Sequence, residues 1–416
     1  VVTYSGDANN AAPPAVTNET FTVGKASPTL TTTILQPTAA VAAGNVTVQD
    51  QATIAGGFSP TGTLTFDLDN SANQLIASGS TAVSGNSNYD TPAPTFSLAA
   101  GTYHWMVTYS GDANNAAPPD VTDETFAVGK ASPTLTTTIL QPTAAVTAGN
   151  VMVQDQATLS GGSLYTRAGT LSFVLEDGTN AAVAGTSFST AVSADGSYDT
   201  PVATVSLAVR TYHWVVSFSG DANNAAPPNV TNETFTVGKA SPTLTTTILQ
   251  PTAAVTAGNV TVQDQATLSG GSLYTGTGTL DFVLDDAGGN PVPGMSYSTA
   301  VLANGDYDTP AAPVSLGAGT YHWVVTYSGD ANNAAPPAVT NETFTVGKAS
   351  PTLTTTILQP TAAVTAGNVT VQDQATLSGG SLYTGAGTLD FVLGGRQQRG
   401  HRRDVVLDQR VGRRQL

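Results

Sequence analysis

The 416-residue chain contains no cysteine, which excludes disulfides and thiolate metal sites and leaves its compartment undecided. Basic side chains are nearly as scarce. There are four lysines, Lys25, Lys130, Lys239 and Lys348, and only Arg167 and Arg210 stand before residue 396 as arginines. With a formal net charge of −16, such a surface repels phosphate backbones, so nucleic acid is not expected as a partner. No apolar run approaches the ~20 residues of a membrane-crossing helix, so no membrane span is expected in this stretch of chain. Helical composition is also missing. Thr, Val, Gly and Pro are dense throughout, and they point to an all-β chain.

What is present is repetition. The string GKASPTLTTTILQPTAAV begins at Gly24, Gly129, Gly238 and Gly347, so successive copies start at Ala26, Ala131, Ala240 and Ala349. The steps of 105, 109 and 109 residues are of domain size, far from the ~20–50 residues of a solenoid repeat, so each copy is expected to have its own core. Three copies are complete: 26–130, 131–239 and 240–348. Residues 1–25 match the end of a copy and 349–393 the beginning of one. The chain therefore reads as a piece of a longer array, and both partial copies are expected to be disordered or to pair opportunistically at exposed edges.

After Leu393 the repeat is lost, and residues 394–416 become basic, with seven arginines. A basic arm would ordinarily suggest nucleic acid or membrane. Here Asp404 to Gln409 can be encoded so that a shift of one nucleotide yields Thr-Ser-Tyr-Ser-Thr. One repeat earlier, residues 295–299 read Met-Ser-Tyr-Ser-Thr. The tail is accordingly read as a frameshifted continuation of the repeat.

Within 240–348, Thr243 to Leu249 is a β-prone opening strand that Pro251 interrupts. Gln263-Asp264 is read as a turn. Leu280, Phe282 and Leu284 alternate on one face, and Asp285 to Gly294 reads as loop. Tyr297 to Val301 is a short strand, Asn304-Gly305 a turn, and Val314 to Leu316 another strand. The strongest strand is Tyr321 to Tyr327, with Tyr321, Trp323, Val325 and Tyr327 facing in and His322, Val324 and Thr326 facing out; Thr343 to Val346 closes the sheet. Seven or eight short strands per copy specify a β-sandwich.

No catalytic constellation emerges. His104, His213 and His322 occur once per complete copy on the outward face of the same strand, each without the nucleophile and orienter that a triad requires. The chain is expected not to be an enzyme.

The segment GTYHWVVTYSGDANN at 319–333, with ASPTLTTT at 240–247 and 349–356, resembles the bacterial immunoglobulin-like repeats of large secreted or cell-surface proteins. Their Y-S-G-D-x-N loop recurs at Tyr109–Asn114 and Tyr327–Asn332, and as Phe218–Asn223 in the middle copy. The resemblance covers about 390 residues. It implies tandem Ig-like β-sandwiches, an extracellular or cell-surface location, and a scaffold or adhesion role.

In that frame Tyr103, Tyr212 and Tyr321 stand two residues before Trp105, Trp214 and Trp323. This is the tyrosine-corner spacing relative to a core position, so all six are expected to be structural core. Asp112 with Asn114, Asp221 with Asn223, and Asp330 with Asn332 lie in the loop between the last two strands. That loop is expected to face the preceding copy's turn at Asp50, Asp155 or Asp264. Oxygen ligands there are calcium candidates, set against a plain Asx turn; no other cofactor is expected. Lys130 near Asn232 and Glu233 resembles the Lys–Asn isopeptide arrangement of some surface proteins, which would require a buried lysine. Asn18, Asn232 and Asn341, and Asn45, Asn259 and Asn368, stand in N-x-T sequons, open to glycosylation only in a host equipped for it.

The functional expectation is a non-catalytic stalk or spacer. Val-Gly-Lys-Ala-Ser-Pro between copies leaves little slack, and about 40 Å per module gives a reach on the order of 120 Å for three. Its partners would be the neighbouring modules of the same chain. The alternative is an adhesion module gripping glycan or matrix protein through polar loops, with multivalent gain.

Overall fold

A computed structural model describes residues 1–394 and the short strand Arg414–Gln415. The frameshift reading of 394–416 falls almost wholly outside these residues. Among the described residues every regular element is a β-strand, and no helix is long and apolar enough to cross a membrane.

In residues 26–130 the strands are β1 (Thr29–Gln36), β2 (Val41–Ala42), β3 (Gly44–Thr47), β4 (Gln49–Ala55), β5 (Thr63–Asn70), β6 (Leu75–Ala82), β7 (Ser87–Asp90), β8 (Thr95–Leu98), β9 (Gly101–Tyr109) and β10 (Val121–Gly129). One sheet has the order β1-β4-β7, with β3 and β8 paired separately; the other has the order β2-β10-β9-β5-β6. Pro37, which lacks an N–H, ends β1. The chain then crosses to the five-stranded sheet, where β2 pairs with β10 in parallel. Period-two alternation does the rest: on β9 Tyr103, Trp105, Val107 and Tyr109 are buried while His104 and Met106 lie on the other face. Leu30, Val46, Ala52 and Ile54 from the first group of strands meet Leu64, Phe66, Leu68, Trp105 and Val128 from the second in one apolar cluster.

Residues 240–348 repeat the pattern with nine strands against the ten of 26–130, more than the seven or eight expected. The excess comes from the two-residue strand after each Pro and from short, separate pairings along one edge. Gln263-Asp264 is not a turn: Gly258–Ser269 is one continuous strand that pairs with Thr243–Gln250, Gly305–Asp308 and Ala312–Leu316. Polar residues at 263–265 suggested a break, but the alternation through Val262, Asp264, Ala266 and Leu268 keeps one face buried. The loop expected at 285–294 is also shorter, because Pro291–Ala300 is already strand. Residues 131–239 carry the same succession of strands.

The described chain forms two compact units. One comprises 1–143, 152–204 and 211–235; the other comprises 144–151, 205–210 and the described residues from 236 onward.

The partial copies are less completely built than the whole ones. Thr352–Gln359 pairs with Gln372–Ser378 in the register of the complete copies, Thr352 opposite Ser378 as Thr243 is opposite Ser269. Yet Leu353 is 52% exposed where Leu244 is 8% exposed, because no second sheet covers that face among the described residues. Residues 1–25 keep a single bridge, Val2 to Val16, in place of two strands.

Candidate functional site

The feature that organises each copy is the loop after its tyrosine-bearing strand. Gly111 adopts φ +64, and a Cβ there would sit 2.8 Å from Ala117 N and 2.9 Å from Asn115 O, so only glycine permits the turn. Asp112 follows. Its Oδ1 accepts the main-chain N–H of Asn114 at 2.6 Å and of Asn115 at 2.8 Å, and its Oδ2 accepts Thr61 N–H at 2.6 Å. Asp221 and Asp330 repeat this with Asn223, Asn224 and Thr166, and with Asn332, Asn333 and Thr275. This is the geometry of an Asx turn. It forms even in 1–25, where Asp7 Oδ1 accepts Asn9 and Asn10 N–H, each at 2.9 Å.

These donors set the electrostatics. The Thr61 N–H, with help from Asn115 and Asn114, holds Asp112 well below the usual carboxylate range. Burial, the largest single influence on Asp221 and Asp330, pushes their carboxyls up; the Thr166 or Thr275 N–H and the neighbouring asparagines outweigh it and leave both lowered. A cation here would have to displace N–H groups from oxygens already filled. A chelator is therefore expected to shift the melting temperature by no more than about 1 °C; a clear drop in circular-dichroism melts with EDTA would reinstate calcium.

Sequence reasoning singled out the first asparagine of the pair and missed the second. Asn115, Asn224 and Asn333 are fully buried. Asn333 Oδ1 accepts Ser272 N–H at 2.7 Å while its Nδ2 donates to Ser272 O and to Asp330 Oδ1. It thus clamps the loop that precedes the next core strand. The doubled Asn-Asn at every copy was the available signal.

The same loop receives the incoming connector. Ala240 N–H donates to Asn332 O at 2.8 Å, Ala334 N–H donates back to Ala240 O at 2.9 Å, and Lys239 Nζ donates to Asp330 O at 2.5 Å. Immediately before, Gly238 O accepts Ala148 N–H at 2.8 Å. Gly129, Lys130 and Ala131 are held identically, by Ala43, Asp221, Asn223 and Ala225. No residue of either Gly-Lys-Ala connector is left free. The lysines are thereby spent on main-chain carbonyls, while Asn232 is exposed, an arrangement that does not assemble the buried Lys–Asn pair of an isopeptide bond.

The loop also touches the preceding copy, at a place other than expected. Asn223 Oδ1 accepts Ala100 N–H at 3.0 Å, and Asn332 Oδ1 accepts Val209 N–H at 3.0 Å. Beside them, a Cβ on Gly44 would stand 2.8 Å from Ser163 Oγ, and one on Gly149 2.8 Å from Ser272 Oγ. Asn223 and Asn332 are consequently buried, whereas Asn114 is exposed. Asp50, Asp155 and Asp264 do not face these loops. They lie inside strands, fully buried.

Of the six tyrosine and tryptophan residues expected in the core, Tyr103, Trp105, Tyr212, Trp214 and Trp323 are buried and Tyr321 is half-buried. Tyr103 OH donates to Ala99 O at 3.0 Å and Tyr321 OH to Gly317 O at 3.2 Å, the backward hydrogen bond of a tyrosine corner. Tyr103 stacks on Phe126 and Tyr212 on Phe235, and Trp105, Trp214 and Trp323 are buried. The histidines sit on the outer sheet face beside single carboxylates, His104 Nε2 at 4.0 Å from Asp69 and His213 Nε2 at 3.6 Å from Glu176. All six sequon asparagines are exposed.

No family model matches the chain, and no curated protein matches it. Among solved structures, one titled as structural insight into host cell surface retention of a 1.5-MDa bacterial ice-binding adhesin is 16% identical, with a TM-score of 0.29, over 78% of this chain and 98% of that one. The three N-terminal domains of the outer capsid protein Hoc of bacteriophage RB49 are 14% identical, with a TM-score of 0.23, over 77% and 99%. Red sea bream transglutaminase is 12% identical, with a TM-score of 0.23, over 52% of this chain and 32% of its own. Similarity at these scores assigns neither family nor function, and the site rests on its own geometry.

Proposed function

We propose that the chain is a non-catalytic spacer, a stalk of tandem Ig-like β-sandwiches at 26–130, 131–239 and 240–348, carried on an extracellular or surface protein. One observation carries the reading: the Gly-Lys-Ala connectors between complete copies, 129–131 and 238–240, are hydrogen-bonded to the copy behind and the copy ahead, with an asparagine bridging the two. A binding module on a loose tether has no use for a connector with every residue held. A spacer does, because reach is lost when joints bend.

Small-angle scattering on a chain trimmed to residues 26–348 tests this. The expected outcome is an elongated particle with a maximum dimension on the order of 120 Å; a compact particle would overturn it. Asn332→Ala removes the acceptor for Val209 N–H and the donor to Leu273 O, leaving buried groups unpaired at a cost of about 1–3 kcal/mol. That variant is expected to melt earlier in 240–348 by the equivalent of that loss and to become more susceptible to proteolysis between residues 238 and 242.

A further inference from the structure

Each copy brings a fully buried aspartate and a partly buried glutamate together from facing sheets, near enough for the glutamate's charge to act on the aspartate. Asp50 points inward from β4 between Val48 and Ala52, and is fully buried. Its main chain is satisfied, the N–H by Thr91 Oγ1 and the carbonyl by Thr91 N–H. Neither side-chain oxygen accepts a well-formed hydrogen bond, and the adjacent Gln51 N–H only partly offsets the burial. Glu124 approaches from β10 on the other sheet, where it lies opposite Trp105 on β9, and its Oε2 is buried without a donor too. Asp155 with Glu233, and Asp264 with Glu342, repeat the arrangement atom for atom. Their sequence separation of 74–78 residues kept the pairing out of sight.

Two ionised carboxylates cannot occupy such a place together, since each would be desolvated and repelled by the other. The charge that bears on each aspartate is that of its partner glutamate. On the same inward faces lie Leu30, Thr32 and Ile34 of β1, with Ile34 opposite Asp50, and Tyr103 and Trp105 of β9, with Trp105 opposite Glu124. His104 of β9 and Asp69 of β5 pair on the outer face of the sheet, Asp90 of β7 accepts Gln51 Nε2, and Asp67 and Asp123 alternate away. In 240–348 the corresponding neighbours are Leu244, Thr246, Ile248, Tyr321 and Trp323; His322, Asp281 and Asp285 lie outward, and Asp308 is taken by Gln265. Neither of these two copies contains an arginine; Lys25, Lys130 and Lys239 are held on loop carbonyls, Lys348 closes the copy 240–348, and Arg167 and Arg210 belong to the middle copy.

We propose that each Asp–Glu pair holds one shared proton in the folded state, which makes the copies acid-stabilised and progressively weaker as the medium turns alkaline. The proton converts one carboxyl into the donor that the other lacks, so the pair satisfies itself as a neutral-plus-charged hydrogen bond. Burial first, and the charge of the partner glutamate second, push Asp50 up to about 7 and Asp155 and Asp264 up to about 8. An unfolded aspartate titrates near ~3.9. Between those values the folded chain binds more protons than the unfolded one, so stability is complete below ~4 and is lost as pH rises through about 7 to 8. Asp112, Asp221 and Asp330, whose carboxyls are lowered, act in the opposite sense and lose their contribution in acid. Together they place the optimum near pH ~5.

The test is thermal unfolding of the full chain at pH 5, 7 and 9 at fixed ionic strength, followed by near-ultraviolet circular dichroism. The melting temperature is expected to fall by on the order of 10 °C across that range. The triple variant Asp50→Asn, Asp155→Asn, Asp264→Asn supplies a permanent N–H donor and is expected to flatten the dependence. Should that variant not fold, proton release by the native sequence decides: denaturation at pH 6 is expected to release about three protons from these pairs. A flat pH profile in the native sequence, an unchanged slope in the folded variant, or no proton release would each overturn the proposal.

Discussion

Trp323→Ala is expected to unfold the copy 240–348 or bring it to the edge of unfolding. The indole is 1% exposed, stands opposite Leu284 on one side and Glu342 on the other, and its ring centre lies 6.3 Å from that of Tyr297. Removing it opens a cavity that a sheet held by main-chain ladders cannot close. The cost is about 3–5 kcal/mol, against a total of about 5–15 kcal/mol for a domain of this size. Trp323 Nε1 has no acceptor, so Trp323→Phe forfeits volume but no hydrogen bond and is expected to cost under about 2 kcal/mol. Denaturant unfolding separates the two, with Trp105 and Trp214 fluorescence reporting the other copies. Equal midpoints for the alanine variant and the native sequence would show that the indole is not a core residue.

Asn333→Ala is the second large effect, and it acts through polar groups. The amide satisfies both Ser272 N–H and Ser272 O and donates to Asp330. Alanine leaves the two main-chain groups buried and unpaired, for a loss of about 2–4 kcal/mol. The damage also reaches the connector, since Asn333 lies in the loop that receives Ala240. Asn114→Ala is the control. Its side chain is exposed in the first copy, and the change is expected to stay within about 0.5 kcal/mol. If both variants melt alike, the buried amide is not what holds the loop.

How much of this could be read beforehand depended on distance along the chain. Alternation through Tyr321, Trp323, Val325 and Tyr327 is local, and the burial of that strand follows it. The tyrosine corner is likewise a four-residue matter, and the Asx turn at Asp330 spans three. Asp264 was misread because local polarity outweighed a longer alternation, which only a continuous strand reveals. The calcium candidates lie in that Asx-turn loop, where the Oδ2 of Asp112, Asp221 and Asp330 accepts an N–H from Thr61, Thr166 or Thr275, some fifty residues away.

The sequence by itself determined the all-β character, the phase of the repeat, the inward aromatic face and the turn after it, since each depends on neighbours within a few residues. Only the tertiary structure decided where the polar groups go. Sheet packing brings Asp50 to Glu124 and Asp264 to Glu342, and one copy's loop to the end of the copy before it. Those are long-range encounters, and burial makes them consequential: a carboxyl or an amide that would be unremarkable in water must there find a partner or a proton.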